Sequence, residues 1–507
     1  MTNARLVAST GPWKPVDIVI DRGSIVGVHP AGTWRGVAAR RIDAKSGFVI
    51  PGLVNAHLHS HEFFMKGSVW GLPLEPYMLK IVATSGLDLL TPEDIYTRTL
   101  ASCAELIRGG VTLAIDDVIH PSISEQVIDP VLQAYEDSGM RACVTLMITD
   151  RPWIESIPFL KDLVPEPLVP LALNATPMSA HDLTVYRRLI AKWNRKSRVR
   201  IAVSPSAPER CSPQLLKQLA DVAQEFSIPF HVHVQESLSQ AIGGPVLFGQ
   251  SMTAYLASLG ILTKLTTMAH AVWLDDRDID LIGSSGAIVV HNPASNMKLG
   301  SGVARVRDLL SAGVTVALGC DGYTCNDSQD MFEAMKLSCL LSAVASPDNR
   351  TWLSPDEAIR MATITGTRAA GLASGGEIAA GQPADLVILD PRATAFLPVN
   401  DPVAQLVFAA KSSDVRTVIV EGRVILSDGQ VTSFDTEKLW HSVIEAAERY
   451  WDAVSPSLAD NMRLTPYFDE AYRRAISAAR RLDDYRLIGS PPVSGFDGIT
   501  PDRPDQM

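Results

Sequence analysis

Between Gly52 and about residue 375, short apolar runs recur at 52–59, 110–118, 141–148, 199–206, 229–236, 266–273, 287–293 and 315–321. Each run is five to eight residues long or close to it, and helical stretches separate them. Strands buried on both faces read as continuous apolar runs, and strands joined through helices run parallel. Eight such units predict an α/β chain, a (β/α)8 barrel. The open doubly wound alternative requires a glycine-rich phosphate loop after the first strand. Here that strand runs into Ser60-His61-Glu62, so the barrel is preferred. Helix starts are legible between the runs: Thr91-Pro92-Glu93-Asp94 predicts a helix over 91–109, Ser212-Pro213 one over 214–226, and Ser354-Pro355-Asp356-Glu357 a third.

The flanks read differently. In residues 1–50, Val16–Ile20 and Ser24–Val28 are short β-branched runs around the turn residues Asp21-Arg22-Gly23. After residue 375, Leu386–Leu389, Val415–Val420 and Arg423–Leu426 are again strand-like, the last two joined by Glu421-Gly422. Pairing of these with the first fifty residues gives a small β-sandwich domain, 1–50 plus 376–430, beside a barrel at 51–375. Residues 435–482 read as helical, with Trp440, Val443, Ile444, Ala447 and Tyr450 on a packing stripe. The Pro-, Gly- and Asp-rich tail 490–507 reads as loosely ordered, and 431–507 as an extension.

Composition limits the partners. A net charge of -11 over 507 residues argues against nucleic acid, which needs clustered Lys and Arg. No apolar run reaches membrane-spanning length, and Met1-Thr2-Asn3-Ala4-Arg5 does not open a secretory signal. Cysteines 103, 143, 211, 320, 325 and 339 lack paired metal spacing and read as reduced thiols of a cytoplasmic protein.

Chemistry concentrates at the strand ends, which in a barrel converge on one face. The first run ends in His57 and His59, two apart and therefore on one side of a strand. The fifth holds His231, His233 and Glu236; the sixth, His270; the seventh, His291; the eighth, Asp321. Of 11 histidines, His57, His59, His61, His231, His233, His270 and His291 lie at these ends or directly after them. Two imidazoles projecting together from a strand end can both reach one metal ion, and the later strand ends offer further ligands.

Taken together, Pro51-Gly52-Leu53-Val54-Asn55-Ala56-His57-Leu58-His59, His233-Val234-Gln235-Glu236, His270, His291-Asn292-Pro293-Ala294-Ser295-Asn296-Met297-Lys298-Leu299-Gly300-Ser301-Gly302 and Asp321-Gly322 resemble the amidohydrolase superfamily. The branch resembled is that of cytosine, guanine and S-adenosylhomocysteine deaminases and s-triazine hydrolases, over about residues 15–430. The resemblance implies one divalent metal ion, zinc first and iron second, held by His57, His59, His233 and Asp321. His231 is the rival ligand on the same strand; the family pattern, with the ligand three residues before the Glu, selects His233. A binuclear site is not expected, because the fourth run ends Val203-Ser204-Pro205-Ser206, without a lysine.

The resemblance further implies Glu236 as a proton shuttle to a ring nitrogen and His270 as the group facing the water and the developing oxyanion. Asp321 would accept the water proton and pass it to departing ammonia. His61, Trp70, Ser206, His291 and Asn296 are candidate substrate contacts; His61 is equally a loop residue, Trp70 and Leu74 equally packing, and Asn296 equally a loop brace. Asp116 and Asp117 are candidates to orient a ligand histidine. Ser206 stands where adenosine-type and guanine deaminases often carry His or Arg, which brings the chain nearer the triazine-type members.

The implied activity is a metal-dependent aminohydrolase of an amino-substituted nitrogen heterocycle, acting on C–N bonds of cyclic amidines. The alternatives are triazine-type displacement of halide or thiol, cyclic amide hydrolysis, and a catalytically silent binding barrel. A small heterocyclic substrate and a homodimer or larger homo-oligomer are the implied partners.

Overall fold

The computed structural model of the protein describes residues 1–7, 14–85, 90–119, 124–173, 180–194 and 198–479. The tail expected at 490–507 lies outside the described residues.

Each apolar run of the central region forms a strand. They are β1 (Leu53–His59), β2 (Val111–Ile119), β3 (Arg141–Ile148), β4 (Val199–Pro205), β5 (Phe230–Val234), β6 (Thr266–His270), β7 (Ile288–His291), β8 (Thr315–Leu318) and β9 (Asp321–Gly322). They make one sheet in the order β8-β7-β6-β5-β4-β3-β2-β1-β9, every pairing parallel. The two edge strands, β8 and β9, are consecutive in the chain, separated only by Gly319 and Cys320. Gly319 N–H donates to His291 on β7 at 3.0 Å, and Cys320 N–H donates to His57 on β1 at 3.2 Å. One run of chain therefore touches both sides of the sheet, and the eighth run counts as two strands because it switches partners at these residues. Gly319 is required by the crowding: a Cβ there would lie 2.4 Å from Asn292 Oδ1 and 2.9 Å from His57 N.

The expected helices begin at the expected caps. Thr91 and Ser354 form capping boxes with Asp94 and Glu357, and the Ser212 hydroxyl accepts from Leu215 N–H. The capped helices span Pro92–Arg108, Pro213–Phe226 and Pro355–Met361.

Both chain ends contribute to a second, six-stranded sheet, in the order Arg5–Leu6, Phe48–Pro51, Leu386–Leu389, Val415–Val420, Arg423–Ser427, Gln430–Val431. Beside it lies the hairpin Val16–Asp21/Ser24–Pro30. Its turn residues Arg22 and Gly23 have φ of 46° and 83°, and Glu421 and Gly422 have 46° and 74°. Two successive positive φ values give the tight turn whose twist matches paired strands. Ile18, Ile25, Val49, Leu386, Ile388 and Ile419 share one buried core.

Gly52 is the single residue between the two sheets on the way from Pro51 to Leu53. A Cβ at Gly52 would sit 2.1 Å from Thr112 Oγ1. A buried ion pair ties the sheets again: Arg141 Nη1 on β3 donates to Asp385 Oδ2 at 2.9 Å, and Asp385 Oδ1 accepts from Glu421 N–H at 2.8 Å.

The C-terminal helical region is two helices, Thr436–Asn461 and Thr465–Ala479. Of the expected packing stripe, Tyr450 is buried and Trp440, Val443 and Ala447 pack partly buried against the core, alongside the buried Leu439, Ala446 and Val454. Ile444 departs from it and is 59% exposed. The apolar face is wide enough that sequence spacing alone does not fix its edge.

Asp385→Ala leaves Arg141 buried and unpaired. It is expected to cost about 3–5 kcal/mol of unfolding free energy, measured by urea denaturation. A loss below ~1 kcal/mol would remove this pair from the account.

Candidate metal centre

The ends of β1, β5, β6 and β9 converge. His57 and His59 point the same way from β1, and both Nε2 atoms face one oxygen: Asp321 Oδ1 lies 3.5 Å from His57 and 3.2 Å from His59. The His233 ring centroid lies 4.9 Å from that of His57 and 5.5 Å from that of His59. Three overlapping groups have ligand atoms within 4.8 Å of one another: His57, His59 and Asp321; His57, His233 and His270; Glu236, His270 and Asp321. All six residues are buried.

The other ring nitrogens are engaged away from this centre. His59 Nδ1 donates to the Asp117 carbonyl at 2.6 Å, and His233 Nδ1 donates to the Ser206 carbonyl at 2.7 Å. His57 Nδ1 lies 2.8 Å from His231 Nε2. A ring that donates through Nδ1 keeps its lone pair on Nε2, the form that ligates metal. His57 Nε2 is buried without a hydrogen bond among the described residues. Burial pushes His57 down to about 4 and His233 well below the usual range, so both rings are neutral. At His59 burial also opposes charge, but Asp321 outweighs it and raises the ring to about 10. The centre thus combines neutral lone pairs with one place, between His59 and Asp321, that favours positive charge. A divalent cation fits this donor set.

Asp321 is held from the other side. Ser295 Oγ donates to Oδ2 at 2.5 Å and Gly322 N–H to Oδ1 at 2.7 Å. Burial opposes its ionisation, but His57 and His59 hold it well below the usual carboxylate range. Asp321 and His270 have φ of 69° and 71°, an unusual conformation for side-chain-bearing residues that persists where the surroundings enforce it. At Asp321 the enforcement comes through Gln329, whose Nε2 donates to the Asp321 carbonyl at 2.7 Å and whose Oε1 accepts from Asn55 Nδ2, also at 2.7 Å. Asn55 Oδ1 in turn accepts from Cys320 N–H at 3.0 Å.

Glu236 is buried beside these groups, its Oε2 3.6 Å from His270 Nε2. Burial pushes its carboxyl up to about 7, against the pull of His270. His270 Nε2 is also 3.6 Å from Asp321 Oδ2, and its Nδ1 donates to Asn296 Oδ1 at 2.9 Å.

The remaining candidates divide. Asn296 braces a side chain, His270, rather than only its own loop. His231 does not face the centre; it stands behind His57. Asp117 holds His59 through its carbonyl, while its carboxylate accepts from Thr145 and Ser204. Asp116 accepts from Ser60 N–H and the Tyr135 hydroxyl. His61 is buried, its ring 5.4 Å from that of His59. His291 is buried at the end of β7. Trp70 is 84% exposed and takes no part in the buried cluster, and Leu74 belongs to the core under the C-terminal helices. Ser206 contributes its carbonyl to His233, and its hydroxyl accepts from Arg210 Nη1 at 3.2 Å.

Sequence reasoning missed Asn55, Ser295 and Gln329, and also two buried carboxylates. Glu75 accepts from Ser237 Oγ at 2.5 Å, and Glu209 accepts from Gln240 Nε2 at 2.9 Å. Each keeps one oxygen without a hydrogen bond among the described residues. The available signal was Asn55 inside an apolar strand and Glu75 inside the apolar stretch Leu74–Met78.

A model of the Amidohydrolase family matches residues 48–425. The chain is 33% identical over 436 residues to a 5-methylthioadenosine/S-adenosylhomocysteine deaminase of Syntrophobacter fumaroxidans, covering 85% of this chain and 92% of that one. It is 32% identical over 442 residues to a 5'-deoxyadenosine deaminase of Methanosarcina mazei, covering 86% and 94%. Among solved structures, an adenosine deaminase from Xanthomonas campestris with bound zinc superposes with a TM-score of 0.76 at 26% identity, over 86% of this chain and 93% of that one. The atrazine chlorohydrolase TrzN of Arthrobacter aurescens, complexed with zinc, shares the fold with a TM-score of 0.78 at 22% identity, over 88% and 99%.

Replacing His59 by alanine removes one of the inward lone pairs. His59→Ala is expected to lose its metal on dialysis under conditions where the parent chain keeps it, read by elemental analysis. Full retention would mean that His59 is not a ligand.

Proposed function

Since the chain belongs to the amidohydrolase family, we propose that it is a metal-dependent aminohydrolase that replaces the amino group of a nitrogen heterocycle with oxygen from water. The observation that carries this is that Glu236, His270 and Asp321 gather with the imidazoles of His57, His59 and His233 in overlapping groups whose ligand atoms lie within 4.8 Å of one another. The cation, zinc first and iron second, is a single one held by His57, His59, His233 and Asp321. When bound it supplies Lewis acidity toward water at neutral pH.

The chain's own groups handle the protons. Asp321 Oδ2 accepts the proton of the attacking water. It is an ionised carboxylate within 3.6 Å of His270 Nε2. His270, donating through Nδ1 to Asn296, presents Nε2 to the attacking water and to the oxygen that gains charge. Glu236 delivers a proton to the ring nitrogen beside the attacked carbon. Its raised pKa keeps the acid form available near neutrality. An amine leaves only after protonation, whereas halide does not need it. Asp321 passes the proton taken from water to the departing amine, and Glu236 regains a proton from the new hydroxyl as the carbonyl forms. This pair of proton carriers favours an amine as the leaving group.

A second reading, displacement of halide or thiol from a triazine, draws on Ser206 and the Arg210 side chain that covers it. It is the weaker one, because identity is higher to the adenosine-type deaminases than to the triazine hydrolase.

We read the large sheet as a (β/α)8 barrel over 51–375, the chain ends 1–50 and 376–430 as a β-sandwich, and 431–507 as an extension. The join of β8 to β9 through two residues supports the barrel. Among the described residues no helix is long and apolar enough to cross a membrane. A homodimer or larger assembly follows from the family resemblance.

Ammonia release across 5'-deoxyadenosine, methylthioadenosine, guanine and aminotriazines tests the reaction class; release from none of them, with chloride released from a chlorotriazine instead, would favour the second reading. Glu236→Gln is expected to lower kcat by about 10² to 10⁴ while the metal content stays unchanged. Undiminished turnover would remove Glu236 from the mechanism.

A further inference from the structure

His231 has no part in the mechanism above, yet it is fully buried two residues before His233 on β5. Its Nε2 lies 2.8 Å from His57 Nδ1. This distinguishes His57 from the other two imidazole ligands. His59 and His233 rest their Nδ1 atoms on backbone carbonyls, which only accept, so their tautomers are fixed by the main chain. The partner of His57 Nδ1 is another imidazole, which either donates or accepts.

We propose that His231 is the positioning residue for the metal ligand His57: it accepts the Nδ1–H of His57 at its own Nε2, and so holds the lone pair of His57 Nε2 toward the cation. The inference rests on the metal-site reading above and adds the residue that sets one ligand's tautomer.

Two arrangements of the neutral pair satisfy the contact, each with one ring proton per histidine. In the ligating arrangement the protons are on His57 Nδ1 and His231 Nδ1. In the other they are on His231 Nε2 and His57 Nε2. The second donates from His231 to His57 and places a proton on the atom that faces Asp321 Oδ1 at 3.5 Å, where it blocks ligation. His231 Nδ1 has no hydrogen-bond partner among the described residues. Each arrangement buries one N–H without a hydrogen bond among the described residues, at His231 Nδ1 in the first and at His57 Nε2 in the second. The cation needs the lone pair of His57 Nε2 and therefore selects the first.

The test uses the full chain and zinc alone. Zinc dissociation constants are measured by chelator competition for the parent, His231→Phe, His231→Gln and His59→Ala. Phenylalanine keeps the ring volume and removes the acceptor; glutamine offers an amide oxygen near the position of Nε2. His231→Phe is expected to weaken zinc binding about 10- to 100-fold, and His231→Gln to restore most of the loss. In the histidine-labelled parent, 15N NMR is expected to find His57 protonated at Nδ1 with zinc bound. The proposal is overturned if His231→Phe binds zinc as the parent does while His59→Ala does not. If His59→Ala also binds zinc as the parent does, the ligand set fails and this proposal with it. Should His231→Phe not fold, the NMR result on the parent decides: an unprotonated His57 Nδ1 in the zinc-bound form overturns the proposal.

Discussion

Burying His57, His59, His233 and Asp321 together is the constraint from which the rest of the structure follows. Buried polar groups destabilise a fold unless they are hydrogen-bonded, and buried charges do so unless they are paired. Here each group is hydrogen-bonded: His57 to His231, His59 to the Asp117 carbonyl, His233 to the Ser206 carbonyl, and Asp321 to Ser295 and Gly322. What remains unbonded points inward. The arrangement tolerates burial because the centre is built to receive a cation.

The supporting features serve the same end. Asn55 and Gln329 hold Asp321 in its left-handed conformation, and Gly319 allows the last strand to pass between β7 and β1. Without that passage Asp321 would not register with Leu58 beside the two histidines of β1. Gly52 and the Arg141–Asp385 pair anchor the base of β1 and β3 to the second sheet. Stiff positioning of this kind is what a site needs when it relies on fixed dipoles and oriented proton carriers.

Much of this was legible in the residues. The apolar runs located the strands, because a strand buried on both faces leaves a continuous apolar record. The i, i+2 spacing of His57 and His59 placed them on one side, and Thr91, Ser212 and Ser354 marked helix starts. Other features were not legible. The spacing to Glu236 in the family pattern favours His233 over His231, but nothing in it shows that His231 stands behind His57. Asn296 read as a loop brace because its partner, His270, is distant in sequence. Ile444 was assigned to the packing stripe of its helix because a wide apolar face fixes its edge only through its neighbours. Trp70 drew attention as an aromatic in the loop after β1, yet it lies at the surface. Glu75 stood out in sequence only as a carboxylate inside an apolar stretch, and the partners of Glu75 and Glu209, Ser237 and Gln240, come from distant segments.

The central claim is that separate strand ends gather one divalent cation. A crystal structure of the zinc-loaded protein, with anomalous scattering recorded across the zinc edge, tests it most directly. The account predicts a single peak bounded by Nε2 of His57, His59 and His233 and by a carboxylate oxygen of Asp321. A peak elsewhere, or two peaks at the centre, would contradict it.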